Sequence, residues 1–235
     1  MARFFAEKIE NGQAVLSAEE AHHALRVLRI REGEACEIIC EGLIYEGVMT
    51  DAENGIVTVN ETPLPSPEPD VKVTLYQGVP KGDKMDLIAQ KCTEAGITRI
   101  VPVQMERSVS VISGKDAEKK QQRWQRIMNE AAKQSGRAAV PEMALPVSGK
   151  QLPALLRQHE LVLVPWEEAE HNGIRQAWHG QKDVAIVIGP EGGMSPREVE
   201  QMQAVPVTLG PRIFRTETAG LAALIALMCI SGNME

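Results

Sequence analysis

Two stretches near the end of the chain decide the fold: residues 189–196 read GPEGGMSP, and residues 209–219 read LGPRIFRTETA. A short apolar run precedes each stretch, at 184–188 and 205–209, and sequence of helical character follows each one. Both stretches are therefore predicted to be loops at the carboxyl ends of buried strands. Open α/β sheets bind their ligands at that edge.

The first loop is rich in glycine and leads into a helix. We expect Gly192 and Gly193 to adopt positive φ and to let the backbone approach a ligand, while Pro190 fixes the entry of the chain. Ser195 and Glu198 have the spacing of a capping box, with a proline at the first helical position.

A glycine-rich turn before a helix is typical of nucleotide sites, but the residues that bind phosphate are missing. No Lys-Ser or Lys-Thr follows the glycines, and the loop has no G-x-G-x-x-G. The pattern therefore favours a nucleoside without phosphates. By spacing alone, two ordinary turns rich in glycine and proline are at least as good an explanation.

The residues of both loops together favour the ligand site, because their sequence resembles the signature of the 16S ribosomal RNA uridine-N3 methyltransferases. These enzymes are the RsmE family of the knotted SPOUT class. Ala95 departs from the family's usual Glu-Leu-Gly, which we expect to alter packing only. The likeness spans nearly the whole chain in the family's order, with further matching segments at 3–5, 23–29, 81–87, 91–96, 106–108, 123–124 and 130–137.

The resemblance implies an α/β fold in two domains. Residues 1–68 would form a small PUA-like β-barrel that docks RNA, and residues 71–235 a SPOUT methyltransferase domain whose last helix passes through a loop to make a trefoil knot. The active site of such enzymes forms across a homodimer. No sequence pattern predicts a knot, so we expect it from the resemblance alone.

S-adenosylmethionine is the cofactor that the resemblance implies. Three loops would hold it through backbone groups and apolar side chains, with few charges. They carry over to Leu163, Val164 and Pro165, to Gly189, Pro190, Glu191, Gly192 and Gly193, and to Leu209, Gly210, Pro211, Arg212, Ile213 and Thr216.

Uridine N3 holds its proton at neutral pH, so an enzyme must remove that proton or stabilise the anion that forms. Arg212 and Arg215 are the candidate donors to the anion, and Glu217 and Glu94 are the candidate bases. Each has a structural alternative. Arg215 could pair with Glu217 or contact an RNA phosphate, and Glu94 could cap or bridge helices.

The charge distribution points to where RNA would bind. The 235 residues carry a formal charge of −7, which argues against a generic RNA-binding protein, but residues 71–137 hold 13 Lys and Arg against 7 Asp and Glu. A basic helical stripe is often only a solvated face; the resemblance makes phosphate contact the better interpretation. Arg26 and Arg29 lie three apart on one predicted helix face. The expected RNA-binding residues are Arg3, Arg26, Arg29, Arg31, Arg107, Arg123, Arg126 and Arg137.

Other sequence features set limits on the class of protein. The four cysteines have no C-x-x-C spacing, so we expect reduced core thiols. The pair His22-His23 lacks further ligands at a recognisable spacing, and no metal is expected. The longest apolar run, residues 219–230, is too short for a membrane span, and no secretory signal is visible at the N-terminus. We therefore expect a cytoplasmic protein.

The pattern of elements changes at residues 63–70, where four prolines predict a stiff, extended linker. After the linker, strands and helices alternate, which predicts a mostly parallel sheet with helices on both faces. The last helix, 218–230, is apolar almost all round and must be buried in the domain or in a dimer interface. Before the linker we predict one helix, 17–28, and strands at 4–5, 35–40, 43–49 and 55–59.

The leading hypothesis is methylation of N3 of a specific uridine in 16S ribosomal RNA, within the assembled small subunit, by a homodimer that uses S-adenosylmethionine. A second hypothesis keeps the fold and changes the target, for instance to a transfer-RNA ribose. A third is a non-catalytic RNA-binding assembly protein with a degenerate cofactor site.

Overall fold

The computed structural model describes residues 1–112, 114–169 and 171–234. The chain forms two compact units, the first made of Met1–Glu68 with Ala132–Ala139, and the second of Pro69–Ala131 with the chain from Val140 onward. Residues 132–139 were expected in the second domain, 71–235. In the structure Ala138 packs against apolar residues of the first unit.

The first unit is a closed β-barrel, as predicted, but it has five strands, of which β2 was not expected. Its strand order is β1-β2-β5-β4-β3, and parallel pairing of β3 with β1 closes the barrel. Successive side chains of a strand point to opposite faces, and Phe4, Ile38 and Met49 point into a shared core. The strands are β1 (Ala2–Glu10), β2 (Gln13–Leu16), β3 (Ala35–Cys40), β4 (Leu43–Asp51) and β5 (Ile56–Val59).

The predicted helix 17–28 is in fact two pieces. Ser17 caps α1 (Ala18–His22) by accepting a hydrogen bond from the Glu20 backbone N–H, and a π-helical segment, His23–Leu28, follows. Arg29 then adopts the left-handed conformation, with φ 56°, and ends the helix. The expectation that Arg26 and Arg29 share one helix face is therefore wrong, because Arg29 lies beyond the helix.

The second unit is built on a wholly parallel sheet in the order β12-β10-β11-β6-β7-β8, with β9 pairing to β7. Its strands are apolar on both faces, as expected for a parallel sheet covered by helices. The strands are β6 (Lys72–Gly78), β7 (Arg99–Gln104), β8 (Glu142–Met143), β9 (Val147–Ser148), β10 (Leu161–Pro165), β11 (Asp183–Ile188) and β12 (Val205–Val207).

Helices cover both faces of this sheet and make two cores. Leu75 points into the core formed with α2, α3, α5 and α7, and the next residue, Tyr76, points into the core formed with α4 and α6. The helices are α2 (Lys84–Glu94), α3 (Gly114–Ser135), α4 (Leu152–Leu156), α5 (Ile174–Ala177), α6 (Pro196–Gln201) and α7 (Thr216–Ile230).

The last helix, α7, is buried within the second unit along most of its length. Ala223, Leu224 and Leu227 are inaccessible and belong to the core shared with α2 and the central strands. Ile225 and Cys229 remain exposed. Burial in the domain therefore accounts for most of the apolar surface of α7, and its passage through a loop stays a prediction.

The buried cysteines behave as core residues. Burial raises the pKa of Cys36 to about 11 and that of Cys92 to about 12, so both thiols stay protonated at neutral pH. Cys229 is exposed on α7, contrary to the expectation that all four are in the core. None of the described helices has the length and apolar character that a membrane span requires.

Candidate active site

A cavity of about 1000 Å³ lies at the carboxyl ends of β10, β11 and β12. Because β10 lies between β11 and β12 in the sheet, the loops that follow these three strands converge at one edge. They contribute the lining residues 165–167, 169, 188–194 and 208–216, and Lys84 and Ala219 complete the wall. The cavity is at the upper end of the usual size range of small-molecule sites.

All but two of the residues expected to hold a cofactor line this cavity. The exceptions are Leu163 and Val164, which are fully buried within β10 and pack into the two opposite cores. They support the floor of the site, while Pro165 at the end of the strand reaches its wall. Trp166, which was not predicted, also lines the cavity.

The two adjacent glycines of the first loop have different roles. Gly193 has a φ of 69°, as expected, and a Cβ there would meet only Glu167 Oε1, at 3.8 Å. Gly192 is outside the positive-φ region, which corrects the prediction. A Cβ on Gly192 would lie 3.0 Å from Arg107 Cβ and 3.1 Å from its carbonyl oxygen. Glycine is needed at 192 because the loop packs against Arg107.

A buried hydrogen-bond chain ties the first loop to β6 and α7. The Thr216 hydroxyl donates to the Gly189 carbonyl at 2.6 Å and accepts a hydrogen bond from Gln77 Nε2 at 2.9 Å. Gln77 Nε2 also donates to the Gly78 carbonyl at 3.1 Å. A Cβ on Gly78 would lie 2.6 Å from Pro190 N, so glycine there lets the loop approach β6.

Lys84, at the start of α2, links two carboxylates at the rim of the cavity. Its Nζ donates to Glu191 Oε1 at 2.8 Å and lies 3.2 Å from Glu217 Oε2. The hydrogen bond to Glu191 is the main cause of the raised pKa of Lys84. Burial opposes ionisation of Glu191, but hydrogen bonds from Lys84 and the backbone outweigh it and lower the pKa of this carboxyl.

The structure separates the four candidate catalytic residues. Arg212 and Arg215 are exposed and line the cavity. Glu217 pairs with Lys84 and not with Arg215, so that structural alternative is wrong. Glu94 is outside the cavity lining, at the opposite end of α2, about 15 Å along the helix axis from Lys84. There it accepts two hydrogen bonds from Lys91, at 2.8 and 2.9 Å.

In the second unit, the expected RNA-binding arginines lie on the surface. Arg107 donates to the Gly192 carbonyl at 3.2 Å. Arg123 pairs with Asp86 on α2, although its side chain remains 59% exposed. Arg126, on the same helix, is exposed. All three can contact a polyanion without depriving a buried group of its only partner.

In the first unit, the expected arginines divide into two groups. Arg26, Arg29 and Arg31 are exposed. Arg3 pairs with Glu37, and Arg137 is only 7% exposed and forms a two-pronged ion pair with Glu68. Arg137 therefore has a structural role, which corrects its assignment to RNA. Glu68 also accepts hydrogen bonds from backbone N–H groups at 138 and 139.

No group of three or more His, Cys, Asp or Glu side chains is arranged to hold a metal within 1–112, 114–169 and 171–234. The cavity itself combines apolar side chains, backbone groups of tight loops, two exposed arginines and one lysine held by carboxylates. Such a lining suits a nucleoside, and because its lysine is already paired, the two arginines are the cations left to meet a negative charge on a ligand or substrate.

Comparison with known families assigns both parts of the chain. Residues 67–228 match the family described as the RNA methyltransferase domain, and residues 16–62 match the RNA methyltransferase PUA domain. The chain is 36% identical to a protein of Bacillus subtilis (strain 168) named ribosomal RNA small subunit methyltransferase E. The alignment covers 97% of this chain and 96% of that protein.

Two solved structures are also similar over their full length. A ribosomal RNA small subunit methyltransferase E from Neisseria gonorrhoeae, bound to S-adenosyl methionine, superposes with a TM-score of 0.80 at 29% identity, covering 98% of this chain and 98% of the other. A methyltransferase from Legionella pneumophila, in complex with bound S-adenosylmethionine, gives the same TM-score and identity and covers 97% and 96%.

Proposed function

The chain belongs to the ribosomal RNA small subunit methyltransferase E family, and we propose that it transfers a methyl group from S-adenosylmethionine to N3 of a specific uridine in 16S ribosomal RNA. One observation carries the proposal. The loops whose sequence resembles the family signature are the same loops that enclose the cavity at the carboxyl edge of the sheet.

The cavity fits this cofactor chemically. Its apolar walls suit an adenine ring, and its tight loops, with Gly193 at positive φ, offer backbone groups at close range. Lys84 is neutralised by two carboxylates, so it is not available to bind a phosphate. When bound, S-adenosylmethionine supplies a methyl group on a sulfonium, already activated for transfer.

The protein's own residues must then deal with the N3 proton. As the N3–H bond breaks, its electron pair becomes available to form the new N–C bond, and negative charge spreads onto the ring oxygens. Arg212 and Arg215 are exposed in the lining and can donate to those oxygens. Glu217 is the carboxylate nearest to them in sequence that could take the proton. Glu94 could act only if another subunit brought it to the cavity.

We further propose how the substrate is recruited. Arg26, Arg29 and Arg31 on the barrel unit would dock RNA, and Arg107, Arg123 and Arg126 would contact phosphates near the second unit's surface. The protein would act as a cytoplasmic homodimer on the assembled small subunit. Phosphate contacts of this kind weaken steeply as salt is added.

The test measures the product nucleoside. Small subunits from a strain that lacks this gene are incubated with the purified chain and S-adenosylmethionine, and the RNA is digested for mass spectrometry. We expect one 3-methyluridine per subunit. A ribose-methylated nucleoside would show that the chain modifies a different target. Absence of any methylated product, together with no cofactor binding by calorimetry, would instead favour the non-catalytic assembly protein.

A further inference from the structure

Gln77 is fully buried at the carboxyl end of β6, opposite Ile188 in the neighbouring strand. Its amide is oriented unambiguously, because the atom 3.1 Å from the Gly78 carbonyl oxygen must be the nitrogen. That orientation leaves Gln77 Oε1 without a hydrogen-bond partner among the described residues. The fold therefore accepts an unpaired buried acceptor in order to keep this amide nitrogen in place.

The same nitrogen determines what the Thr216 hydroxyl can do. A hydroxyl has one hydrogen to donate and two lone pairs that accept. The hydrogen goes to Gly189, because a carbonyl oxygen can only accept, and one lone pair accepts from Gln77. A single lone pair is left. Thr216 lines the cavity, so any hydrogen bond between its hydroxyl and a ligand uses this lone pair, with the hydroxyl as acceptor.

We propose that Gln77 is a positioning residue that makes Thr216 an obligate hydrogen-bond acceptor, and that Thr216 thereby selects a donor group on the bound cofactor. This inference rests on the proposed use of S-adenosylmethionine. The donors of that molecule are the adenine amino group, the ribose hydroxyls and the ammonium of the methionine part. An analogue that places an acceptor at the matching position would set its own lone pair against the one left on Thr216 and lose affinity.

The test couples changes in the protein to changes in the ligand. Calorimetry measures the affinity of the full chain for S-adenosylhomocysteine, which keeps the same three kinds of donor. It also measures three analogues that each lack one kind: an inosine base, a ribose with methylated hydroxyls, and a chain without the amino group. The variants are Thr216→Val, Thr216→Ser and Gln77→Met, with thermal unfolding as the check that each one folds.

We expect one analogue to bind the unaltered chain about tenfold more weakly than S-adenosylhomocysteine. Thr216→Val should remove that penalty for this analogue alone, Thr216→Ser should keep it, and Gln77→Met should reduce it because the hydroxyl is freed to rotate. Even if Gln77→Met fails to fold, the valine and serine variants decide the question.

Equal penalties in the unaltered chain and in Thr216→Val, for all three analogues, would overturn the inference while leaving cofactor binding intact. A purely structural Thr216 would give that result, since lost packing weakens all ligands alike. If S-adenosylhomocysteine and S-adenosylmethionine both fail to bind the unaltered chain, the proposed function falls, and this inference falls with it.

Discussion

Arg212 and Arg215 stand on the loop that enters α7, and no carboxylate among the described residues pairs with either of them. A free guanidinium next to a cavity can give two parallel donors to a ring oxygen, which an ammonium cannot. We expect Arg212→Lys or Arg215→Lys to lower kcat by at least about tenfold, with a much smaller change in KM, because the interaction is complete only when charge has developed.

The pH profile separates this role from cofactor binding. More uridine reaches the anion unaided as the pH rises, so the rate of an affected lysine variant should recover in part at high pH. Steady-state kinetics with small subunits from the deletion strain provide the measurement. A variant with unaltered kcat excludes that arginine from the role, and a loss of cofactor affinity by calorimetry moves it to the binding site.

The pair Lys84–Glu191 should hold the first loop over a wide pH range. The pKa of Glu191 is lowered below its ordinary 4.5, so its contribution to stability is complete above that value and is lost as the pH falls through the lowered pKa. The pKa of Lys84 is raised above 10.5, so its contribution is complete below 10.5 and is lost at higher pH. Between these limits the pair stays ionised.

Glu191→Gln tests this directly. We expect it to lower the unfolding free energy near neutral pH, and the difference from the unaltered chain to shrink as the pH falls below 4.5 and through the lowered pKa of Glu191. Urea titrations at several pH values would measure it, with the exposed Glu200→Gln as the matched control. A difference that does not change with pH would mean that the ion pair contributes nothing.

The two glycines of the first loop should respond differently to alanine. Gly193→Ala should cost about 1–2 kcal/mol from its positive φ, with room for the methyl group. Gly192→Ala forces apart the loop and Arg107, so it should weaken cofactor affinity as well. Gly12→Ala, at a φ of 73° with open space around it, isolates the conformational cost. Equal calorimetric affinities for the unaltered chain and Gly192→Ala would contradict the steric argument.

At the scale of elements, α3 and the segment after it carry the basic charge, and burial decides what each cation does. Arg126 is exposed on α3, whereas Arg137 is paired with Glu68. We expect Arg126→Ala to weaken binding of 16S ribosomal RNA and to leave the stability of the protein unchanged. The slope of log affinity against log salt concentration should decrease in magnitude by about one, because one phosphate contact is lost.

Arg137→Ala should do the opposite. It leaves the Glu68 carboxylate without its partner, which should cost about 3 kcal/mol of stability, while RNA affinity measured on the folded fraction stays the same. Filter binding and urea unfolding of both variants supply the comparison. Loss of RNA affinity by a fully folded Arg137→Ala variant would show that Arg137 contacts RNA.

The elements were predictable where a periodic pattern is long. The apolar run of β11 and the capping box of α6 appear as predicted, because local sequence suffices to specify them. β8 and β9 were missed since two residues carry no period. The π-helical segment was read as ordinary helix, because its apolar spacing does not reveal the extra residue in the turn.

The site was predictable in its loops and not in its supports. The resemblance selected backbone-rich loops that do line the cavity, but Gln77 and Lys84 act from β6 and α2, far away in sequence. Only the fold brings them to Thr216 and Glu191. In the same way, nothing in the sequence near Arg137 indicates that Arg137 forms an ion pair with Glu68.

At the scale of the whole molecule, α7 leaves an apolar stripe that its own unit does not cover. Ile225 is 37% exposed, Leu221 is half-buried and Cys229 is exposed, and their spacing puts them on one side of the helix. An apolar helix face of this kind can be covered by the same face of a second copy. The resemblance also implies an active site completed by a second copy.

We therefore expect the chain to be a homodimer through α7, and Ile225→Glu to make it monomeric and to abolish methyl transfer, because a charge cannot be buried unpaired in an apolar interface. Val48→Glu, a change at a barrel residue of similar exposure (42%), should leave the dimer intact. Sedimentation at micromolar concentration gives the mass of each variant. Labelling of Cys229 by a thiol reagent gives a second measure, since the dimer should protect this exposed cysteine and the monomer should not. A monomeric mass for the unaltered chain, or an active Ile225→Glu monomer, would show that each copy works alone.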